Sequence, residues 1–402
     1  MRRSLLVVLL VSAACSTRDL DTTATPEDAR VPVEGTPAIT GSLAAAEVPR
    51  TAAPADTQPV RGSTPPGIVR GLYLNRFAVH SAKKMQKLIA IADTTEINAF
   101  VIDMKDEFGL NYHSSDPAIR KNAGTMGKVR DLKALLDTLK AHDILTVARI
   151  VVFKDSVTAR VNPQWTIRQP DGSIWRDHKG LAWVNPYERA LWEYNIGIAE
   201  ELVRLGFEEI QWDYIRFPEP YKSLPPQVFP GASGVSKPQA IAEFLKTADA
   251  RLDRLGVRST ADIFGLVTTV NGPLEIGQEW EKVAPVTDVL LPMVYPSHYP
   301  RGAFGVARPN AEPYRIVFTA IDKARQRNAK LGITKPEHVR PWLQAFSIGQ
   351  PPYGAAEVEA QMQAVYDAGY DGWVLWHPGS NYDVFLGALK REEISRKKIA
   401  TR

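Results

Sequence analysis

The sequence contains a single cysteine, Cys15, so the chain can form no internal disulfide. Its seven histidines include no HExxH motif or other close pair, which argues against a zinc site built from ligands near one another in the sequence. The formal charge is nearly balanced at +4, and no strongly basic face indicates nucleic-acid binding. We therefore expect no metal, no other cofactor and no nucleic-acid partner.

The first residues, "MRRSLLVVLLVSAACS", combine two arginines, an apolar stretch from Leu5 to Val11 and a run of small residues. This pattern predicts a secretory signal peptide over residues 1–14. The segment resembles a bacterial lipoprotein signal, in which Cys15 is lipidated, although Ser12 stands where leucine is usual. "SAA" also suits an ordinary signal peptidase, which leaves a soluble exported protein as the alternative. In both cases we expect the bacterial cell envelope or the exterior, with a membrane partner if Cys15 is acylated.

Aromatic residues are absent from residues 16–66, which contain eight prolines and many alanines and threonines. Such a segment cannot bury enough apolar surface to offset the entropy lost on ordering. We therefore predict a disordered tether over residues 15–66. All nine tryptophans of the chain lie after it.

Apolar runs of strand length alternate with amphipathic helical patterns from residue 67 onward. Strand–helix alternation repeated eight times predicts a parallel (β/α)8 TIM barrel over residues 67–390, followed by a charged tail over 391–402. A doubly wound open sheet is the alternative, but "YLNRFAV" after the first strand lacks its phosphate-binding glycine loop. The eight runs are residues 67–77, 98–107, 144–153, 208–217, 259–268, 288–296, 339–347 and 371–378.

The longest gap between these runs predicts a tryptophan-rich insertion at about residues 156–188, on the C-terminal rim of the barrel. Trp165, Trp175 and Trp183 recur there among polar residues, and "DG" at 171–172 indicates a small hairpin. Exposed rings at such a rim commonly stack on sugars. The alternative is that the tryptophans only pack the insertion.

Successive strand residues face opposite ways, and polar groups near the C-terminal mouth of a barrel form the active site. In "IQWDYI", Ile210, Trp212 and Tyr214 share the face expected to meet the helices, so that Gln211 and Asp213 face inward. A buried charge is costly unless it is paired, so the inward cluster indicates either a functional site or a set of structural ion pairs. The same alternation directs inward Asn75, Asp103, Lys105, Arg149, Asp213, Gln344 and, with less support, Asp262.

The segments "WDYIRFP", "VIDMKDEFG", "ADIFG" and "PMVYPSHY" together resemble a glycoside hydrolase family of bacterial exported proteins, catalogued as a domain of unknown function. The resemblance covers about residues 67–390. It implies a barrel related to α-galactosidase-like and α-amylase-like enzymes, which place a nucleophilic aspartate at the end of the fourth strand. Only Asp213 matches that position, as nucleophile or base, and Arg216 after it could hold the carboxylate or a ligand.

A second carboxylate is expected, because glycosidases generally use two that flank the bond. Relatives often have it near the sixth strand, where this chain reads "LLPMVYPSHY" without an acid. Asp262 is our preferred second catalytic residue. For substrate contacts we predict Tyr295, His298 and Trp376. The other acids considered are Asp103, Asp106, Glu107, Glu275 and Glu279.

These observations predict a glycosidase acting on a poly- or oligosaccharide. The missing acid on the sixth strand leaves a non-catalytic glycan-binding envelope lipoprotein as the alternative. A metal-dependent barrel hydrolase has less support, because His113, His298 and His377 are few and widely spaced.

Overall fold

A computed structural model of the protein describes residues 67–390. The predicted signal peptide (1–14), the tether (15–66) with Cys15, and the charged tail (391–402) lie outside the described residues. Within residues 67–390, no helix is both long enough and apolar enough to span a bilayer.

Eight parallel strands form a closed barrel. The sheet order is β1-β9-β8-β7-β6-β5-β4-β2, and β1 also pairs with β2, which closes the ring. The remaining strand, β3, forms a short antiparallel hairpin with the end of β2. The strands are β1 (Arg70–Leu74), β2 (Ala99–Asp106), β3 (Gly109–Leu110), β4 (Leu145–Val151), β5 (Glu209–Asp213), β6 (Arg258–Phe264), β7 (Val289–Met293), β8 (Trp342–Gln344) and β9 (Trp373–Trp376).

Helices connect successive strands, as a parallel sheet requires. Several begin with a side-chain cap; Ser236, for example, forms a capping box with Gln239 at the start of α7. The helices are α1 (Arg76–His80), α2 (Ala82–Thr94), α3 (Pro117–Arg120), α4 (Leu132–Ala141), α5 (Ser156–Val161), α6 (Arg189–Leu205), α7 (Lys237–Asp253), α8 (Trp280–Val283), α9 (Pro313–Lys330) and α10 (Ala355–Asp367).

Each of the eight predicted strand segments contains one barrel strand, so the predicted TIM barrel is confirmed. Ring closure through β1 excludes the open-sheet alternative. The predicted alternation holds within the strand, since Ile210 and Trp212 pack between the sheet and the helices, but it fails just after the strand end, where Tyr214 lines the barrel mouth and does not face the helices. A separate cluster fills the barrel interior with side chains such as Val101, Val147 and Val374.

A buried charge cluster lies on β5, β6 and the segment before β8. Glu209 has no solvent exposure and accepts hydrogen bonds from Arg340 at 2.6 and 3.2 Å. Arg258 approaches the same carboxylate at 3.1 Å. Burial alone would raise the pKa of Glu209, but the two guanidinium groups hold it below its usual range. This cluster ties the amino ends of the strands together at the face opposite the strand termini that carry Asp213.

Asp249 of α7 provides a pH-dependent contribution to stability. Burial and the nearby carboxylates Asp288 and Asp253 raise its pKa from 3.8 to about 7. Because the folded state keeps this proton longer than the unfolded state, the stability should fall as the pH rises from about 4 to 7. At this half-buried site we expect a loss of about 1 kcal/mol after allowance for solvent screening.

We therefore expect Asp249→Asn to raise the free energy of unfolding at pH 8 by about 1 kcal/mol and to leave it unchanged near pH 4. Urea unfolding at both pH values measures the difference. Asp137→Asn, in the exposed pair with Lys133 on α4, is the matched control and should show no such pH dependence. An equal effect of Asp249→Asn at both pH values would contradict this explanation.

Candidate active site

A pocket of about 170 Å³ opens at the carboxyl ends of the strands. Six consecutive barrel strands, β4 to β9, contribute to it with Arg149, Asp213, Phe264, Met293, Trp342 and Trp376. This is the face on which TIM barrels form their active sites. The tryptophan-rich insertion and the loop after β5 form the remaining wall.

Asp213 is the last residue of β5, the fourth parallel strand, and its side chain lines the pocket. The next residue, Tyr214, has a φ of +52°, a left-handed conformation that is rare outside glycine. That turn brings the Tyr214 N–H to 2.5 Å from Asp213 Oδ1. The strained backbone of Tyr214 therefore fixes the orientation of the Asp213 carboxylate.

Arg149 of β4 connects two acids, Asp213 and Asp103. Its Nε and Nη2 donate to Asp213 Oδ2, Nε at 3.0 Å, and its Nη1 donates to Asp103. The Tyr73 hydroxyl donates to the other oxygen of Asp103 at 2.5 Å. Burial lowers the pKa of Arg149, but Asp213 and Asp103 raise it well above its usual range, so the guanidinium stays charged.

Asp262 of β6 does not line the pocket, although we predicted it as the second catalytic carboxylate. Only 1% of its surface is exposed, and Trp342 Nε1 and Gln211 Nε2 donate to it at 2.6 and 2.8 Å. Burial and the proximity of Asp213 raise its pKa. Asp262 therefore holds the edge of the Trp342 ring, which lines the pocket, and this position behind the lining differs from the one we predicted for the second catalytic carboxylate.

Lys105 does not reach the pocket either. The β2–β4 register shifts between Asp103 and Lys105, and such an irregularity redirects the following side chain. The fully buried Lys105 ammonium forms an ion pair with Asp155 at 2.7 Å and donates to the Val151 carbonyl at 2.5 Å. The predicted substrate contact is therefore a structural ion pair with Asp155, which matches the alternative of structural pairing for this residue.

Two further residues that we predicted as substrate contacts instead hydrogen-bond to the segments around the site. Asn75 caps α1 through the Ala78 N–H and donates to the Pro378 carbonyl at 2.8 Å. Gln344 accepts from the Ser297 N–H at 3.0 Å and donates to the Phe346 carbonyl at 3.0 Å. Neither side chain lines the pocket, so both act on the loops that surround it.

Five further predicted residues line the pocket, Arg149, Arg216, Tyr295, His298 and Trp376, whereas the predicted contact Asp103 is 3% exposed and does not. Tyr295 lies 5.6 Å from Trp376 between ring centroids and 5.3 Å from His298, forming an aromatic wall. Burial lowers the pKa of His298 to about 4, so the ring is neutral at neutral pH. Arg216 forms an ion pair with Glu219 at 3.1 Å, whereas Arg149 is the residue that holds Asp213.

The tryptophans of the insertion are packed inside it. Trp175 and Trp183 are 0% and 2% exposed, and their indole N–H groups donate to the Pro225 carbonyl and to Asp177. The hairpin around Gly172 is present as the bridge between Arg168 and Ile174. Our expectation of exposed stacking rings is therefore wrong for Trp175 and Trp183, which build the wall of the pocket.

Two acids that our sequence reasoning did not select line the pocket, Asp177 and Glu219. Both lie in segments that the sequence assigns to the rim, since Glu219 follows "DYIRFP" and Asp177 belongs to the insertion. Their presence in loops, where strand alternation carries no information, is the reason that pattern analysis overlooked them.

Gly265, in "ADIFG", allows the floor of the pocket to close. A Cβ atom at this position would lie 2.4 Å from the Met293 carbonyl oxygen and 2.5 Å from the Tyr299 hydroxyl. Only glycine allows β6 and the loop after β7 to approach so closely.

Among residues 67–390, the structure contains no group of three or more His, Cys, Asp or Glu side chains arranged to hold a metal ion.

A (β/α)8 barrel with a carboxylate at the end of its fourth parallel strand, in an aromatic-lined pocket, is an arrangement typical of glycosidases. Residues 71–382 match the family described as "Putative glycosyl hydrolase domain", and the chain belongs to that family. This confirms the resemblance that the sequence motifs indicated, and it makes the protein an enzyme of the glycosidase class.

Two solved structures support the fold, and a third is similar in sequence. The PgaB (BpsB) glycoside hydrolase domain from Bordetella bronchiseptica is 13% identical with a TM-score of 0.58, over 80% of this chain and 99% of that one. The α-L-fucosidase isoenzyme 2 from Paenibacillus thiaminolyticus is 13% identical with a TM-score of 0.51, over 83% and 49%. A hypothetical protein from Ruminiclostridium thermocellum ATCC 27405 is 36% identical with a TM-score of 0.41, over 45% and 92%. Comparison with curated proteins gives no match.

Proposed function

We propose that the protein hydrolyses a glycosidic bond of a poly- or oligosaccharide in this pocket, with Asp213 as nucleophile or base. The observation that carries the proposal is the placement of Asp213. Its carboxylate ends the fourth parallel strand, lines the pocket, and is oriented by Arg149 and the Tyr214 N–H. Oriented donors of this kind fix the direction in which the carboxylate lone pairs point.

Arg149 supports this role electrostatically. In a retaining reaction Asp213 would attack the anomeric carbon, and in an inverting reaction it would remove a proton from the attacking water. Both routes need a carboxylate held rigidly against the sugar. Since Asp103 and Tyr73 fix Arg149 from the far side, the guanidinium has no freedom to swing away from Asp213.

We propose Glu219 as the proton donor to the leaving group. Its Oε2 accepts from Arg216 Nη1 at 3.1 Å, and the residue lines the pocket on the loop after β5. Asp177 is the less suitable acid, because both of its oxygens accept N–H groups, from Lys179, Leu181 and Trp183. Both oxygens of Asp177 are therefore held in hydrogen bonds within the insertion, whereas a general acid must reach the leaving-group oxygen of the substrate.

The aromatic wall supports a sugar as ligand. Trp376 is half-buried, stands 5.9 Å from Tyr73 and 5.0 Å from Phe346 between ring centroids, and lines the pocket. Its neighbours hold the ring in place, so that its exposed part is a rigid surface for the apolar face of a pyranose ring. The neutral His298 adds a hydrogen-bonding group without charge.

The proposed function is tested by incubating the purified protein and Asp213→Asn with a panel of bacterial and plant polysaccharides. Released sugars are identified by mass spectrometry. We expect the wild type to release product from one class of polymer and the variant to release none. Equal release by both proteins would reject Asp213 as the catalytic carboxylate, and binding without release by either protein would indicate a glycan-binding protein.

Glu219→Gln provides a separate prediction. We expect a loss of about 10²- to 10⁴-fold in the rate on natural sugar leaving groups, because proton donation assists their departure. On aryl glycosides with acidic phenol leaving groups, which need no proton, the loss should be much smaller. Asp177→Asn is the matched comparison. The assignment of Glu219 fails if its variant loses the same factor on both kinds of substrate.

We also propose that the enzyme is exported and anchored in the bacterial cell envelope by a lipid on Cys15. The support is the sequence pattern of residues 1–16 alone. Metabolic labelling with a palmitate analogue, compared between the full chain and Cys15→Ala, tests the anchor.

A further inference from the structure

Two phenylalanines are exposed beside the ends of the first two barrel strands. Phe77 of α1, which follows β1 closely, is 53% exposed, and Phe108, in the turn between β2 and β3, is 37% exposed. Their ring centroids are 6.2 Å apart. Single exposed apolar residues are common on protein surfaces. Two large ones side by side form an apolar patch, and such patches more often mark a contact surface.

The exposed pair has a rigid base. Arg76 is 1% exposed, donates to Asp106 Oδ2 at 2.6 Å and to the Gly109 carbonyl at 2.8 Å, and its guanidinium carbon lies 5.5 Å from the centre of the Phe108 ring. The Phe108 N–H donates to Asp106 Oδ1 at 2.9 Å. Exposed aromatic rings on such a fixed base lose little conformational entropy when they bind a ligand.

The pair lies on the same face of the barrel as the pocket. Since all eight strands are parallel, the carboxyl ends of β1 and β2 are on the side of Asp213. Trp376, on the pocket wall, ends β9, which pairs directly with β1. One strand interval, about 5 Å within the sheet, therefore separates β9 at the pocket wall from β1, the strand that leads into α1 and Phe77.

We infer that Phe77 and Phe108 form a remote sugar-binding platform for the part of a polysaccharide that extends beyond the pocket. The inference rests on the proposed function and adds that the substrate is a polymer rather than a short oligosaccharide. The pyranose rings present apolar C–H faces, which pack on aromatic rings. A stable protein partner fits less well, because it buries about 800 Å² per partner, far more than two phenylalanine rings provide.

The test uses the full chain carrying Asp213→Asn, so that polymer is bound but not consumed. Affinity electrophoresis in gels containing glycol chitin, xylan, dextran or galactomannan measures the retardation of each variant. Phe77→Ala/Phe108→Ala is compared with Leu205→Ala/Leu331→Ala. Leu205 ends α6 and Leu331 follows α9, both towards the opposite face, and they are 37% and 36% exposed. Thermal unfolding of each variant confirms that it is folded.

We expect the phenylalanine variant to lose about tenfold in affinity for the polymer that retards the parent, while the leucine variant matches the parent. In the active background, the phenylalanine variant should lose the same factor in kcat/KM on that polymer and nothing on its di- and trisaccharide fragments. Unchanged retardation, or equal losses on polymer and fragments, overturns the platform and leaves the proposed hydrolase intact. If no polymer is either bound or cleaved, the proposed function fails together with the platform.

Discussion

Asp213→Asn is expected to lower kcat/KM by about four orders of magnitude on a natural glycan. Asparagine has nearly the same shape as aspartate and can still accept one hydrogen bond from Arg149. It cannot supply the negative charge that attacks the anomeric carbon or activates water. The loss should appear mainly in kcat, because the amide still fills its place in the pocket and the aromatic wall is unchanged.

The role of Asp213 is resolved with Asp213→Ala and added sodium azide. If Asp213 is the nucleophile, azide entering the vacated space should restore turnover of an activated aryl glycoside and give a glycosyl azide of inverted configuration. If Asp213 is the base of an inverting reaction, azide attacks in the place of water and also gives an inverted glycosyl azide. The wild-type sugar product is then inverted as well, whereas a nucleophilic Asp213 gives a wild-type product of retained configuration. Comparing the anomeric configuration of the wild-type product with that of the azide product separates the two. Asp137→Asn, on the surface of α4, is the control for both measurements.

Arg340→Met is expected to have the largest effect on stability, a loss of about 3–5 kcal/mol in the free energy of unfolding. The substitution removes two hydrogen bonds to the fully buried Glu209 at 2.6 and 3.2 Å and leaves Arg258, at 3.1 Å, as the remaining cation beside its carboxylate. Burying a carboxylate without full pairing is costly because the desolvation penalty is no longer offset. Urea unfolding measures the loss.

The loss should also depend on pH. Because the arginines hold the pKa of Glu209 below its usual range in the folded state, their contribution is present above the unfolded pKa and disappears as the pH falls through the folded pKa. We therefore expect the difference between wild type and Arg340→Met to shrink in acid. Lys133→Met, in an exposed pair on α4, should cost at most about 0.5 kcal/mol at any pH. A loss of that size for Arg340→Met would show that the buried pair is only weakly stabilising.

Period-two alternation carried most of the correct predictions. It placed Arg149 and Asp213 inside the barrel and Ile210 and Trp212 outside, because strands in a barrel have one face on the helices and one on the interior. Alternation does not predict how close an inward-facing side chain lies to the mouth of the barrel. Asp262 and Gln211 face inward as predicted but lie below the pocket, where they hydrogen-bond to each other.

Other errors have local causes. The irregular register after Asp103 redirected Lys105, and sequence alternation assumes an uninterrupted pleat. Trp175 and Trp183 belong to an insertion that is large enough to have an apolar cluster of its own, so their burial there is decided by packing and not by their position on the rim. Glu219 lies in a loop, whose side-chain directions no periodic pattern predicts.

The wall formed by the insertion has a consequence for attempts to change specificity by exchanging loops. Arg168 of the insertion pairs with Val228, Trp175 donates to the Pro225 carbonyl, and Asn185 donates to the Pro230 carbonyl. The two segments thus form one folding unit made from separate stretches of chain. A chimaera that receives residues 156–188 without residues 214–235 would lack the partners of these hydrogen bonds. Polar groups in the pocket wall would then be left unpaired, which is destabilising. Exchange of this wall therefore requires that both loops be transferred together.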